Sequence, residues 1–213
     1  YMTAREEDIL TSQNLIKKGV VIDRVLDSLI LTEGVKVNDL FLGDKNAVMI
    51  AARILAYGPE YGCEVTNPET GEPVSHTFNL ADCPFKKLPK KTKENKFEVD
   101  LPISKTKVVF KLLTGKDEEL ITKDLNASKK ISSQITPELT TRLRYSIVSV
   151  DDDESKSVIS NFVQNMLARD SMYLRKQMRD VTPDIDLTQE IDLGGDSVKV
   201  AIPMTVNFFW PDF

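Results

Sequence analysis

Histidine occurs once, cysteine twice and tryptophan once in 213 residues. With a single imidazole, any Ser-His-Asp or Cys-His arrangement must be built around His76. That residue lies between Ser75 and Thr77 in a run of strand-forming residues, where a histidine held by a strand is the simpler reading. Cys63 and Cys83 could form one disulfide at most, and the expectation is a pair of reduced thiols. Basic charge is also short, with 28 Lys and Arg against 33 Asp and Glu, which argues against nucleic acid as the main partner. No run approaches the roughly 20 apolar residues of a membrane helix, so no membrane partner is expected. The acidic opening YMTAREEDIL lacks the profile of a signal peptide.

Other chemistry is missing too. LLTGKDEE ends like a phosphate-binding loop, but no glycine stands at the required spacing before Gly115 and Lys116. Cys63, His76 and Cys83 could offer three metal ligands, yet their separations match no familiar zinc pattern. The acids of DDDE, Asp151 to Glu154, could hold a divalent cation. Directly before a helical stretch, they read better as charges favoured by the helix dipole. No catalytic residue, cofactor site or metal site is therefore assigned.

What is present is a chain of helices and hairpins. EEDILTSQNLIKKG and VVIDRVLDSLIL carry apolar residues at helical spacing, the first stopped by Gly19. DKNAVMIAARILAYG has Asp44 as N-cap, ends at Gly58, and is apolar on most sides, so it reads as the central buried helix. YGCEVT and PVSHTFNL flank the turn NPETGE as a hairpin. A lysine-rich loop follows, with Lys86, Lys87, Lys90, Lys91, Lys93 and Lys96 bounded by prolines and read as solvated. KFEVDLPI and KVVFKLLTG are strands, with Phe97, Val99, Leu101 and then Val109, Leu113 on their apolar faces.

Helices return in DEELITKDLNASKK, in TPELTTRLRYSIVSV with Thr136 as N-cap and Pro137 at the first helical position, in DDDESKSVISNFVQNMLAR, and in DSMYLRKQMRD with Asp170 as cap. TQEIDLGGDSVKVAIPMTVNFFW closes the chain as a second hairpin. The fold class is α+β: a helical N-terminal third and C-terminal helices around a small antiparallel sheet built from two hairpins. The segments are 1–58, helical; 59–115, hairpin and strands with the lysine loop; 116–182, helical; and 183–213, closing hairpin and aromatic tail. Together they read as one compact domain.

The two hairpin turns echo each other: NPETGEPV (67–74) aligns with IDLGGDSV (191–198), sharing glycine at Gly71 and Gly195. Each has the shape of a zinc knuckle, but the ligand positions hold Asn67, Thr70, Ile191 and Gly194, none of which is a ligand. Candidate partner-binding residues remain. LRKQMR places Arg175 and Arg179 four apart on one helix face, able to grip an acidic partner or stay solvated. In VNFFWPDF, Val206, Phe208 and Trp210 alternate as one face of a strand that continues the closing hairpin. That leaves Phe209 and Phe213 as the aromatics for a partner.

The stretches REEDILTSQNLIKKG, DLFLGDKNAVMIAARILAYGPEY, DSMYLRKQMRDVTPDIDL and IPMTVNFFWP, in that order, make the chain similar to the baseplate-hub assembly family of T4-like contractile-tailed bacteriophages. The resemblance implies a non-enzymatic tail protein that acts in baseplate hub assembly or structure through protein contacts. Its implied partners are other hub proteins or the tape-measure protein, and homo-oligomerisation is left open. Its implied locations are the host cytoplasm during assembly and the virion baseplate. Two alternatives accompany this: a transient chaperone of the tape-measure protein, absent from the virion, and a degenerate zinc-ribbon module. Relatives are expected to carry C-x-x-C-G knuckles in the two hairpins, from which this sequence departs at Asn67, Thr70, Ile191 and Gly194.

Overall fold

A computed structural model describes residues 2–67, 70–86, 88, 94–131, 136–192, 197–204 and 206–209. In chain order the elements are α1 (Ala4–Leu10), α2 (Gln13–Lys17), α3 (Val21–Leu29), α4 (Leu42–Tyr57), β1 (Glu60–Thr66), β2 (Pro73–Asn79), β3 (Phe97–Asp100), β4 (Lys107–Phe110), α5 (Gly115–Ile131), α6 (Glu138–Ser146), β5 (Ile147–Val150), α7 (Lys156–Asn165), α8 (Ala168–Val181), β6 (Thr188–Asp192) and β7 (Ser197–Ala201). The class is α+β, as the sequence implies. In detail, β1–β2 and β6–β7 are separate two-stranded ladders, and β3–β4–β5 forms a third sheet. These elements belong to two compact units, 1–37 with 43–86 and 184–213, and 38–42 with 87–183. The sequence reading treats them as one domain, because nothing in local periodicity tells that residues 184–213 return to pack with 43–86.

In the first unit, α1 starts with a reciprocal cap. The Thr3 hydroxyl and N–H both donate to the Glu6 carboxylate, at 2.6 and 2.8 Å, and Thr3 accepts from the Arg5 N–H. The stretch expected as one helix breaks at Thr11 and Ser12 into α1 and α2. Val25 and Leu26 of α3 are wholly buried. α4 ends where Gly58 adopts φ 86°, a conformation only glycine takes cheaply. It is not the central buried helix: most of its residues are half-buried and Leu55 is exposed. Asp44 lies inside its first turn rather than at the cap.

Both hairpins of this unit turn one face inward. Tyr61, Val65 and Phe78 meet Ile191, Val200 and Ile202 in one core with Leu10, Val25 and Ile50. The described part of the tail does not continue the strand. Residues Val206–Phe209 form a 3-10 turn that buries both Phe208 and Phe209 in this core.

The second unit is built on β3–β4–β5. The inward face of β4 is Val108, Phe110 and, just beyond, Leu112, the phase opposite to the expected Val109 and Leu113. A one-residue slip moves every side chain to the other face, and the face of Val109 also carries Lys107 and Lys111, whose charges keep it out of the core. The sequence predicts a helix through this stretch, but Ile147–Val150 pairs with β4 as β5. α6 begins at Glu138 with Pro137, not Thr136, as N-cap. Leu143, Ile159, Val163 and Leu174 bring α6, α7 and α8 onto the sheet, and the Phe97 and Phe110 rings stack at 5.3 Å.

The acids of DDDE do not sit in the first turn of α7. Asp151 accepts from the Lys107 N–H at 2.9 Å, Asp152 pairs with the Lys107 ammonium at 3.2 Å, and Asp153 accepts from the Ser155 N–H at 2.7 Å. They build the β5–α7 turn. Asp170 likewise is not the cap of α8. Buried in its first turn, the carboxylate accepts from the backbone N–H of Ile103 and Ser104, both at 2.9 Å, and so fixes the β3–β4 loop.

Candidate docking groove

Two helical stripes in the second unit define a groove of about 250 Å³. From α6 come Leu139, Arg142, Leu143 and Ser146, at the i, i+3, i+4, i+7 spacing of one helix face. From α8 and the residue after it come Arg175, Met178 and Thr182, again one face. Phe41, Leu42, Glu118 and the Lys111–Leu113 exit of β4 complete the lining. Its mouth is apolar: Leu42 is 57% and Leu139 is 44% exposed. Leucines that open into a concavity mark a contact site better than leucines scattered singly on a surface.

Three cations stand at the rim, and two are already engaged. Lys111 pairs with Asp117 at 2.7 Å. Arg142 pairs with Glu118 at 2.7 Å and with Glu138 at 3.2 Å, and the bond to Glu118 raises its already high pKa. Arg175 makes only a 3.3 Å bond from Nε to the Ser171 carbonyl, one turn back on its own helix. Among the described residues it has no carboxylate partner. The groove therefore offers apolar contact surface and one guanidinium fork free for an incoming acid.

Of the residues singled out from sequence, Arg175 lines this groove and Arg179, exposed on the same helix, does not. Phe209 is 2% exposed and Phe208 packs edge-on against it, ring centres 5.2 Å apart, so Phe209 belongs to the chain's own core. Phe213 lies outside the described residues, as do Lys87, Lys90, Lys91 and Lys93. The α6 stripe is visible in sequence as the i, i+3, i+4, i+7 spacing within ELTTRLRYS.

The thiols and the imidazole are separated by their roles. Cys63 and His76 are cross-strand neighbours on β1 and β2, with the His76 ring edge-on to Phe78 at 4.7 Å. Cys83 is buried in the core, and its sulfur accepts from the Gln189 side chain at 3.4 Å. Burial pushes both thiols up, which suppresses the reactive thiolate. Among the described residues no group of three or more His, Cys, Asp or Glu is placed to hold a metal ion. At the knuckle positions, the Asn67 side chain accepts from the Thr70 N–H at 3.4 Å and Ile191 is core, while Gly194 lies outside the described residues. Gly115 and Lys116 also have structural roles. A Cβ on Gly115 would stand 2.9 Å from the Asn38 Cα, and Lys116 pairs with Asp39.

The groove thus joins an apolar lining to an arginine that has no carboxylate partner among the described residues. The chain matches the family of the T4 bacteriophage base plate protein over residues 1–210, and it belongs to that family. No curated protein and no solved structure matches it. Family membership gives the chain a structural role in the phage tail baseplate.

Proposed function

We propose that this chain is a structural subunit of the baseplate hub, working through protein–protein contacts, with the α6–α8 groove as a docking surface. Its partners are other hub proteins or the tape-measure protein. The observation that carries the reading is the family match across nearly the whole chain. The groove supplies the physical means: the apolar mouth of Leu42 and Leu139 buries a partner's apolar side chain, and Arg175 engages its carboxylate. Hot spots of this kind pair a desolvated apolar contact with an arginine.

Co-expression with the phage's hub and tape-measure proteins tests it. The wild-type chain should be retained on a tagged hub or tape-measure protein. Arg175→Glu should weaken retention by about tenfold or more, since it replaces a charge pair by repulsion, while leaving the melting temperature unchanged. Equal retention of the variant would remove the groove from the proposal. Absence of any tail partner for the wild type would remove the proposal itself.

A further inference from the structure

A second cleft, of about 390 Å³, lies wholly in the first unit and is lined by Glu64, Val65 and Thr66 of β1 and by Lys199, Val200, Ala201 and Pro203 at β7. A sheet face contributes every second residue of a strand, whereas an edge contributes consecutive ones. Consecutive residues line this cleft, and none comes from β2 or β6. It therefore lies along the outer edges of β1 and β7.

The hydrogen-bond phase says which peptide groups face it. The Leu80 N–H donates to the Pro59 carbonyl and the Asn67 N–H to the Glu72 carbonyl, so the pairs that bond across β1–β2 are those of odd-numbered β1 residues. The N–H and C=O of Glu64 and Thr66 consequently point away from β2. Similarly the Ile202 N–H donates to the Leu187 carbonyl, which turns the peptide groups of Lys199 and Ala201 away from β6. Two outward groups on these edges are satisfied within the unit. The Glu60 carbonyl accepts from Arg53 at 3.2 Å, and the Pro203 carbonyl accepts from the Tyr61 hydroxyl at 3.0 Å. At Glu64, Thr66, Lys199 and Ala201, among the described residues, no ladder continues. Unpaired edge groups of this sort are a template for another strand.

We infer that this cleft receives an extended segment of another baseplate protein by strand addition, bonding to the outward peptide groups of β1 and β7. Val65 and Val200 line the cleft from the core side and call for an apolar side chain. Lys199 already has Glu190 at 3.6 Å, whereas Glu64 has no cation among the described residues, so the segment carries a basic residue beside Glu64. Main-chain bonds supply the affinity in such additions and alternate side chains supply the choice of partner. This inference rests on the baseplate reading but uses a surface separate from the groove.

The test adds purified full-length chain to an extract holding the remaining baseplate proteins but lacking this one, and measures its incorporation into sedimenting baseplates. Glu64→Pro and Lys199→Pro remove N–H groups that the hairpins do not use, at the edge positions where proline is tolerated. Each should cut incorporation by about tenfold, the loss of roughly one edge hydrogen bond with its strand geometry, with the melting curve kept. Incorporation equal to wild type overturns the inference while sparing the function. Failure of the wild type to enter baseplates overturns both. Hydrogen exchange on the wild-type chain covers the case of a variant that misfolds. The amides of Glu64, Thr66, Lys199 and Ala201 should exchange fast in the free protein and slowly in baseplates. Unchanged exchange there, or protection that rises with the free protein's own concentration, contradicts a partner strand.

Discussion

Several single side chains in this protein hold loops and edges in place. Burial opposes ionisation of Asp170, but the N–H groups of Ile103 and Ser104, with the Ser104 hydroxyl and nearby Lys105, hold its carboxyl below the usual range. A carboxyl lowered in the fold contributes stability that is complete above its unfolded value, about 3.9, and is lost as pH falls through the folded value. Asp170→Asn should therefore melt at a lower temperature than wild type at pH 7, and the gap should close as the pH falls through the carboxyl's lowered folded value. Thermal unfolding of both proteins across that range measures it. A gap independent of pH would mean that packing, not charge, matters there. Tyr61 links β1 to the chain after β7 through its hydroxyl, and Tyr61→Phe should cost about 1 kcal/mol in denaturant unfolding. Sequence alone could not have found either role, because in each the partner is a backbone group far along the chain.

Elements were legible where their signals are local. Helix spacing, Gly58 and the two hairpin turns announce most of α1 to α8 and β1, β2, β6 and β7. The misses share one cause, the tertiary setting of short apolar runs. IVSV follows a helical stretch with no break signal between them, yet its β-branched residues pair on β4 as β5. NFF alternates like a strand, yet coils into a 3-10 turn because that conformation buries two adjacent rings at once. Phe208 touches Tyr61 edge-on, ring centres 5.1 Å apart, and Phe208→Ala should cost about 3–5 kcal/mol. Phe209→Ala should cost a similar amount; a loss below about 1 kcal/mol would mean its ring is not core. Gly115 starts α5 against Asn38 with no room for a methyl group, so Gly115→Ala should destabilise by about 1–3 kcal/mol. In sequence that glycine resembles only the end of a phosphate loop, and the close approach that explains it is invisible without the fold.

At the scale of the whole molecule, α+β class and family were readable because they rest on the order of many stretches along the chain. The candidate surfaces were only partly readable. The spacing with Arg179 singles out Arg175, but its value lies in having no carboxylate partner among the described residues while Lys111 and Arg142 have theirs, a fact of assembly in three dimensions. The cleft along β1 and β7 is further removed, since it depends on two hairpins, over 100 residues apart in sequence, staying separate ladders in one core. A groove with a free arginine and a pair of open strand edges suit a subunit that joins several neighbours at once. Quantitative mass spectrometry of purified virions tests that role most directly. A structural hub subunit should be present in a fixed ratio to the other baseplate proteins in every preparation. Its absence from intact, infectious particles would contradict a structural role and leave a transient assembly factor in its place.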